Sequence, residues 1–402
     1  MELTEFDHLL TDSGRALLGE LGATPEPADP LSAATRLRAR FPSALVTAAL
    51  TQDRLRRRAT AKFGAGAARL YFTEAGYEQS TRAAVARLRA ARYKAAGVRR
   101  VADLCCGIGG DALAFAEAGI QVLAVDRDPL TCAVARANAA ELGLSELIRV
   151  ECAQAADVAL DGCDAVFLDP ARRGERGRVF DPDAYSPPWS FAVGLSERFT
   201  AAGFKAAPGI PHEAVPAGAE AEWVSDGGEV KEAAIYCGSL RTAERRATLL
   251  PGPHILTAAG LPDPEPGDIG RYLYEPDGAV IRARLLGELA DSLGARTLDP
   301  TIAYLTADQH TPTPFATAYE VTDVLPFTVK KLRALVAERG YGTLAIKKRG
   351  ADVDPAELRR QLRPKGPKTN AATLIVTRHR GRRVALVARE PSTPTRDAAG
   401  SS

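Results

Sequence analysis

Apolar residues recur at helical spacing from the start of the chain to about Lys94, with Leu9, Leu10, Leu17, Leu18 and Leu21 on one face. Arg82–Ala95 is an Ala/Arg-rich helix former, and Pro25, Pro27 and Pro30 break the pattern between helices. From Arg100 the pattern changes to short apolar runs. These predict strands at Arg100–Leu104, Gln121–Val125, Ile148–Cys152, Ala165–Leu168 and Phe204–Ala207. Helices are predicted at Asp111–Ala118, Pro129–Leu142 and Ser190–Ala202. Strands alternating with helices describe a parallel sheet with helical crossovers. Trp223–Ser225 and Ala233–Cys237, separated by a stretch beginning Asp226-Gly-Gly, predict a closing antiparallel pair.

Pro251, Pro253, Pro262, Pro264 and Pro266 then mark a linker, followed by a predicted helix at Ala279–Ser292 and a strand at Phe315–Val321. The C-terminal piece predicts a helix at Val329–Arg339, a strand at Gly342–Lys347 and a helix at Pro355–Arg363. Strands at Ala372–Thr377 and Arg383–Val387 are joined by the basic hairpin Arg378-His-Arg-Gly-Arg. The expected organisation is therefore a helical region (1–96), an α/β domain (97–250), a connecting segment (251–322), a small α+β domain (323–391) and a Ser/Thr/Pro-rich disordered tail (392–402).

The most informative stretch is Val101-Ala-Asp-Leu-Cys-Cys-Gly-Ile-Gly-Gly-Asp111, followed by Ile120-Gln-Val-Leu-Ala-Val-Asp126. A strand runs into a glycine turn, a helix and a second strand that ends in a carboxylate. Gly107, Gly109 and Gly110 allow close backbone approach of a ligand. Asp126 lies where a doubly wound sheet places the acid that holds ribose hydroxyls. The dinucleotide fingerprint is not matched: its third glycine is missing and Asp111 stands at the helix start. A carboxylate there repels a phosphate and tolerates a cationic sulfonium.

These residues resemble the class I S-adenosylmethionine-dependent methyltransferases, and within them the trimethylguanosine synthase-like RNA branch. The whole chain is similar to actinobacterial-type methyltransferases with a C-terminal THUMP-like domain. The resemblance implies a Rossmann-like, seven-stranded core with S-adenosylmethionine as donor. Asp103 at the end of the first strand would orient the donor, Gly107 and Gly109 would give room for its methionine part, and Asp126 would take the ribose. Gln154, just past the third strand, would lie near the adenine, with Asp157 as the alternative, and Ala153 or a loop backbone equally able to carry the adenine edge. In the resembling enzymes an aromatic-Thr segment closes over the donor. Phe72, Thr73 and Thr81 are the counterparts here, while Ser80 or Thr81 is equally suited to cap the helix that starts near Arg82.

The fourth strand ends in Asp169-Pro-Ala-Arg-Arg-Gly, at the sheet edge where open α/β sheets bind ligands. Asp169, Pro170 and Arg172 are therefore the candidate acceptor-side residues. Amino-group methyltransferases carry Pro-Pro and an aromatic at this point, whereas here Ala171 and Arg172 stand there. A guanidinium stacks on a base or grips a phosphate, so a nucleobase target fits. The alternative is that Arg172 and Arg173 only pair with acids such as Glu175. Asp-Pro-x-Arg is also similar to the uracil-5 methyltransferases, which need a cysteine nucleophile. Cys237 is the only downstream cysteine and reads as core. Trp223 and the run Glu229–Glu232 either shape the acceptor pocket or form a solvated hairpin.

Composition changes the picture in two places. The six cysteines form no C-x-x-C pair and the five histidines show no ligand spacing, which predicts free thiols in a reducing cytoplasm and no metal. The acidic N-terminus predicts no signal peptide, and no apolar run approaches a bilayer span. Charge is uneven: residues 325–390 hold 17 Lys/Arg against 5 Asp/Glu, a net of +12 in a chain of net +2, which leaves −10 elsewhere. Lys330, Lys331, Lys347, Lys348, Arg349, Arg378, Arg380, Arg382 and Arg383 fall on short ordered elements. A folded basic surface contacts phosphates, and the THUMP-like resemblance implies structured RNA. The sequence thus predicts a transferase that methylates a nucleobase in rRNA or tRNA. The alternatives are a small-molecule or protein methyltransferase, and a non-catalytic RNA-binding protein that keeps the fold.

Overall fold

A computed structural model describes residues 1–25, 29–172 and 185–391; the expected disordered tail lies outside these residues. The chain divides into two compact units, one of residues 1–222 with 232–244, the other of residues 223–231 with everything from 245 onward.

The first unit opens with helices α1 (Leu3–Leu9), α2 (Asp12–Gly22), α3 (Pro30–Arg38), α4 (Ser43–Phe63), α5 (Glu74–Gln79) and α6 (Ala83–Ala95). The predicted leucine face is the buried one: Leu9, Leu17, Leu18 and Leu21 pack into the core while Leu10 is partly covered. The α/β part follows as β1 (Arg100–Leu104), α7 (Gly110–Glu117), β2 (Gln121–Asp126), α8 (Pro129–Glu141), β3 (Ile148–Cys152) and β4 (Ala165–Leu168). A short pair, β5 (Ala171–Arg172) with β6 (Tyr185–Ser186), precedes α9 (Trp189–Arg198), β7 (Ala201–Ala206), β8 (Glu220–Asp226) and β9 (Glu229–Gly238).

Seven strands of a nine-stranded sheet run in the hydrogen-bonding order β8-β9-β7-β4-β1-β2-β3. The β1, β2, β3, β4 and β7 ladders are parallel, and β9 is antiparallel to β7. This is the seven-stranded, Rossmann-like order that the alternation predicts, and its switch point lies between β1 and β4. Helix starts follow local chemistry. Asp128 caps α8 by accepting from the Thr131 amide at 2.7 Å, and Pro129 follows with its fixed φ.

Two readings are corrected here. Helix α9 ends at Arg198, not near Ala202, because Ala202 pairs with Val166 in the ladder; Ala-rich helix propensity loses to strand burial. Neither Ser80 nor Thr81 caps α6. Arg82 is its N-cap residue without a side-chain cap, while the Ser80 hydroxyl donates to the Tyr77 carbonyl.

Two buried polar contacts fasten the helical region to the sheet. Asn138 on α8 accepts from the Tyr71 amide (2.7 Å) and donates to the carbonyls of Tyr71 (3.1 Å) and Ile108 (3.0 Å). The Tyr93 hydroxyl of α6 donates to the Val166 carbonyl at 2.8 Å. It passes over Gly203 of β7, where a Cβ would collide with that hydroxyl.

The second unit contains β10 (Arg245–Leu250), β11 (His254–Thr257), β12 (Tyr272–Pro276), α10 (Gly278–Arg282), α11 (Leu286–Leu293), β13 (Arg296–Asp299) and β14 (Ile302–Ala307). It continues with β15 (Ala316–Pro326), α12 (Val329–Glu338), β16 (Thr343–Lys348), α13 (Pro355–Leu362), β17 (Ala371–His379) and β18 (Arg382–Arg389). One sheet of order β13-β14-β12-β15-β18-β17-β16 unites the expected connecting segment with the expected C-terminal domain. The boundary expected near residue 322 falls inside β15, so 251–322 is not a separate linker. Helices α12 and α13 cover one face through Leu332, Val336, Leu358 and Leu362. The predicted helix at Ala279–Ser292 is two helices, broken where Arg284 takes a φ of 53°. Buried Ala283 and Leu285 keep the apolar pattern continuous across the break, which hides it from the sequence.

Asn138→Ala should lower the stability of the chain by about 2–4 kcal/mol, since three buried backbone groups lose their partner. Urea unfolding followed by fluorescence checks this; a loss under about 0.5 kcal/mol would show that water replaces the amide.

Candidate functional site

The candidate site is built at the carboxyl edge of the parallel strands. After β1 the chain turns through Cys105 (φ 61°), Gly107 (φ 57°) and Gly109 (φ 89°), the last being the N-cap residue of α7. Positive φ at both glycines lets the turn double back without steric cost. Asp126 closes it from β2. One carboxylate oxygen accepts from the Gly107 amide and the other from the Asp128 amide, each at 3.0 Å. The acid is thereby fixed beside the glycine turn, with lone pairs left over on both oxygens.

Gln154 stands exposed two residues beyond β3, on the same edge: Cys152 is in register with Asp126, and the Ala153 amide donates to the Asp126 carbonyl at 2.9 Å. Asp157, the alternative, is also exposed, and its amide donates to the Gln154 carbonyl at 3.0 Å.

Asp103 is wholly buried, and neither of its carboxylate oxygens has a hydrogen-bond partner. Burial, and then the nearby Asp111 and Asp169 charges, push its carboxyl well above the usual range. Asp111, at the start of α7, is held by Arg89 of α6, which also binds Glu232 of β9. The guanidinium lies over the Phe167 ring, 4.3 Å from its centroid. Burial works against that charge, and Asp111 and Glu232 outweigh it, so the guanidinium holds its proton more tightly than usual. Asp111 therefore does not stand free at the helix start. Its charge is spent on Arg89.

Of the residues expected to face the acceptor, Asp169 follows β4, with its amide donating to the Leu104 carbonyl at 3.1 Å, and Pro170 behind it is buried. Lys205 of β7 donates to Asp169 Oδ2 at 2.7 Å and to Thr81 Oγ1 at 3.1 Å. Burial alone would weaken the hold of Lys205 on its proton. Asp169, then Glu232 and Asp111, reverse this and raise its pKa. Arg172 lies on β5 in register with Tyr185; Arg173 and Glu175 lie outside the described residues.

The structure thus brings Asp103, Asp169 and Thr81 into one charged cluster, and Gly107, Gly109 and Asp126 into one turn. The other two lid residues do different work. Phe72 is core, bonded through both its backbone groups to Gln52, and Thr73 caps α5 through the Gly76 amide at 2.9 Å. Glu232 joins the cluster, whereas Glu229 is exposed and pairs with Lys231. Trp223 is buried on β8. Cys237 is also buried, and burial pushes its thiol up. The ladders place it in the row of Val166 and Ala202, three positions from the row of Asp169, or roughly 10 Å. That is no place for a nucleophile serving Asp169.

Sequence reasoning missed Arg89 and Lys205. Arg89 is one of several arginines in a helix-forming run, and its i+3 neighbour Arg92 is equally paired, with Glu220 and Glu222. Lys205 had a signal: a lone lysine inside an apolar strand, one position beyond the register partner of Leu168.

Because Asp103 titrates in the folded chain above its unfolded value, its stabilising share is complete below about pH 4. It is lost as pH rises through the folded value. Asp103→Asn should flatten that slope and raise the thermal midpoint at pH 7–8 by roughly 2–4 °C in the ligand-free protein. A lower midpoint there would show that the carboxylate is paired.

Comparison with known proteins agrees with this geometry. The family description "Methyltransferase domain" matches residues 101–170, "THUMP domain-like" matches 316–390, and a domain of unknown function matches 2–59. An uncharacterized S-adenosylmethionine-dependent methyltransferase of Mycobacterium tuberculosis is 35% identical over 343 residues, covering 81% of this chain and 90% of that protein. A 23S rRNA (uracil(1939)-C(5))-methyltransferase of Shewanella sediminis is 38% identical over 79 residues, 19% of this chain and 18% of its own. A crystal structure from Porphyromonas gingivalis W83, of a protein named only provisionally as a methyltransferase, superposes with a TM-score of 0.72. It covers 88% of this chain and 92% of its own at 24% identity, a likeness of fold. With its strand order, its glycine turn and a relative of this identity and coverage, the chain belongs to the S-adenosylmethionine-dependent methyltransferases.

Proposed function

We propose that this methyltransferase modifies a nucleobase in structured RNA, rRNA or tRNA, in a reducing cytoplasm that suits its six free thiols. Bound S-adenosylmethionine supplies a methyl carbon already activated by a sulfonium, so the chain has only to position two reactants and exclude water. The observed residues fit that donor. The orphaned, buried Asp103 carboxylate suits a cationic ammonium, the remaining lone pairs of Asp126 suit ribose hydroxyls, and Gly107 has open space where a Cβ would stand. Gly109, Gln154 and Thr81 would complete the donor side. Asp169, Pro170 and Arg172 would face the acceptor, with Asp169 accepting a hydrogen from the group to be methylated.

One observation carries the RNA reading. Lys330, Lys331, Lys348, Arg378 and Arg382 are exposed and make no ion pair or side-chain hydrogen bond among the described residues. Register places Lys348, Arg378 and Arg383 on the helix-covered face at one end of β16, β17 and β18, the end at which α12 begins. Not every predicted cation is available: Lys347 and Arg349 are drawn to Glu275, and Arg380 pairs with Asp268. Exposed, unspent cations on a folded surface are what a phosphate backbone binds. The THUMP-like match over 316–390 supports the same reading.

Two measurements test the proposal. Asp126→Ala should weaken S-adenosylhomocysteine binding in calorimetry by about 1–3 kcal/mol; unchanged affinity would remove Asp126 from the ribose contact.

For RNA, truncation at Leu325 would cut through β15, so charge reversal is the cleaner probe. K330E, K331E, R378E and R382E together should leave donor binding intact. They should reduce RNA affinity and lower the slope of log affinity against log salt by about 0.7–0.9 for each phosphate that is no longer neutralised. RNA binding equal to wild type at every salt concentration would favour a small-molecule or protein acceptor.

A further inference from the structure

Lys205 occupies an unusual place. It sits on a central strand of the first unit, one position past the Phe204–Leu168 register pair, directly beside the Asp169 carboxylate that follows β4. Two of its three ammonium hydrogens are committed, one to Asp169 Oδ2 at 2.7 Å and one to Thr81 Oγ1 at 3.1 Å. The third has no partner among the described residues. Buried cations normally satisfy all their donors, because an unmet one costs free energy. Here the pair is not sealed: the Lys205 side chain is 17% exposed and that of Asp169 is 28% exposed. The pair opens at the carboxyl edge of the sheet, where an acceptor must enter for in-line transfer.

A structural role alone does not account for this. The β4–β7 ladder already joins the two strands through backbone bonds. Glu232 and Asp111, the other carboxylates near Lys205, are both occupied by Arg89. What the lysine adds is a link between Asp169 and Thr81, the residue just before the N-cap of α6, and a spare donor beside a carboxylate that accepts.

We propose that Lys205 positions Asp169 and reads the acceptor, its third hydrogen donated to a lone-pair atom adjacent to the group being methylated. This rests on the methyltransferase reading of the site and narrows its substrate class. Side by side, an accepting carboxylate and a donating ammonium match a group that presents an N–H next to a carbonyl oxygen or ring nitrogen. That is an amide or amidine edge, as a nucleobase displays along its pairing face. A protein lysine does not match: it offers no adjacent lone pair, and its charge is repelled by the ammonium. The same pairing explains how the site recognises a base edge without the second proline and aromatic found after the acid in amino-group methyltransferases.

Full-length wild type is compared with Lys205→Met, which keeps length and loses charge, and with Lys205→Arg, which keeps charge. Calorimetry with S-adenosylhomocysteine reports the donor site. Methyl-tritiated S-adenosylmethionine is then followed into total RNA and, separately, into total protein, both extracted from cells lacking this chain. Lys205→Met should bind S-adenosylhomocysteine within roughly threefold of wild type, with an unchanged KM for the donor. Its kcat for RNA labelling should fall roughly 100-fold, the usual consequence of losing one preorganised donor. Lys205→Arg should recover at least about a tenth of the lost rate. Wild-type kcat in Lys205→Met overturns the role of Lys205 and leaves the RNA reading standing. Label in protein but not in RNA overturns the nucleobase edge together with that reading. If no fraction is labelled, the RNA reading falls, and hydrogen exchange at residues 80–86 decides the link. Exchange in Lys205→Met as slow as in wild type overturns it, and faster exchange with donor binding intact supports it.

Discussion

A single buried guanidinium governs the geometry of the first unit. Arg89 is almost wholly excluded from solvent and is bound by Asp111 of α7 and Glu232 of β9 while lying on the Phe167 ring of β4. A charge in that setting is tolerated only if its partners stay in place, since losing one partner typically costs several kcal/mol. Three segments far apart in sequence are thereby locked in one register. Thr81 lies just before α6, the glycine turn just before α7, and Glu232 one residue before the β9 segment that pairs with Lys205. Apolar replacements of such networks are often no less stable, so the network is weak evidence of bulk stability.

The cluster also has a sign. Among the described residues, Asp103, Asp111, Asp169 and Glu232 gather around Arg89 and Lys205, and Asp103 relieves part of the carboxylate repulsion by holding its proton. A site with surplus negative character suits the net positive charge of a sulfonium donor, whereas the demethylated product lacks the sulfonium charge. That difference favours binding before transfer over retention after it.

Much of the fold was legible because its signals are local and redundant. Strands β1, β2 and β4 are short, mostly apolar runs, β3 alternates apolar with charged positions, and Asp128-Pro129 announces α8. The glycine turn was legible for the same reason: Gly107, Gly109 and Asp126 are recognised by spacing, and the Asp126–Gly107 hydrogen bond fits that spacing. The partners of Asp111 and Asp169 were not legible. Arg89 and Lys205 meet carboxylates 22 and 36 residues away, through strand order and helix rotation that no local pattern encodes. The unity of 245–391 was hidden likewise, because the boundary expected near residue 322 falls inside β15, which pairs with β12 on one side and β18 on the other. Lys347 and Arg349 look like surface cations in sequence, yet their register carries them toward Glu275 on another strand.

The contact between Tyr93 and Gly203 has an evolutionary consequence. The tyrosine hydroxyl occupies the space that any side chain at position 203 would need, and Lys205 lies two residues further along the same strand. Position 203 can therefore gain a side chain only in a lineage where position 93 has first given up its hydroxyl or its ring. A change at 203 alone would push β7 outward and carry Lys205 away from Asp169. Relatives of this chain should show these two positions drifting as a pair, although 110 residues separate them along the chain.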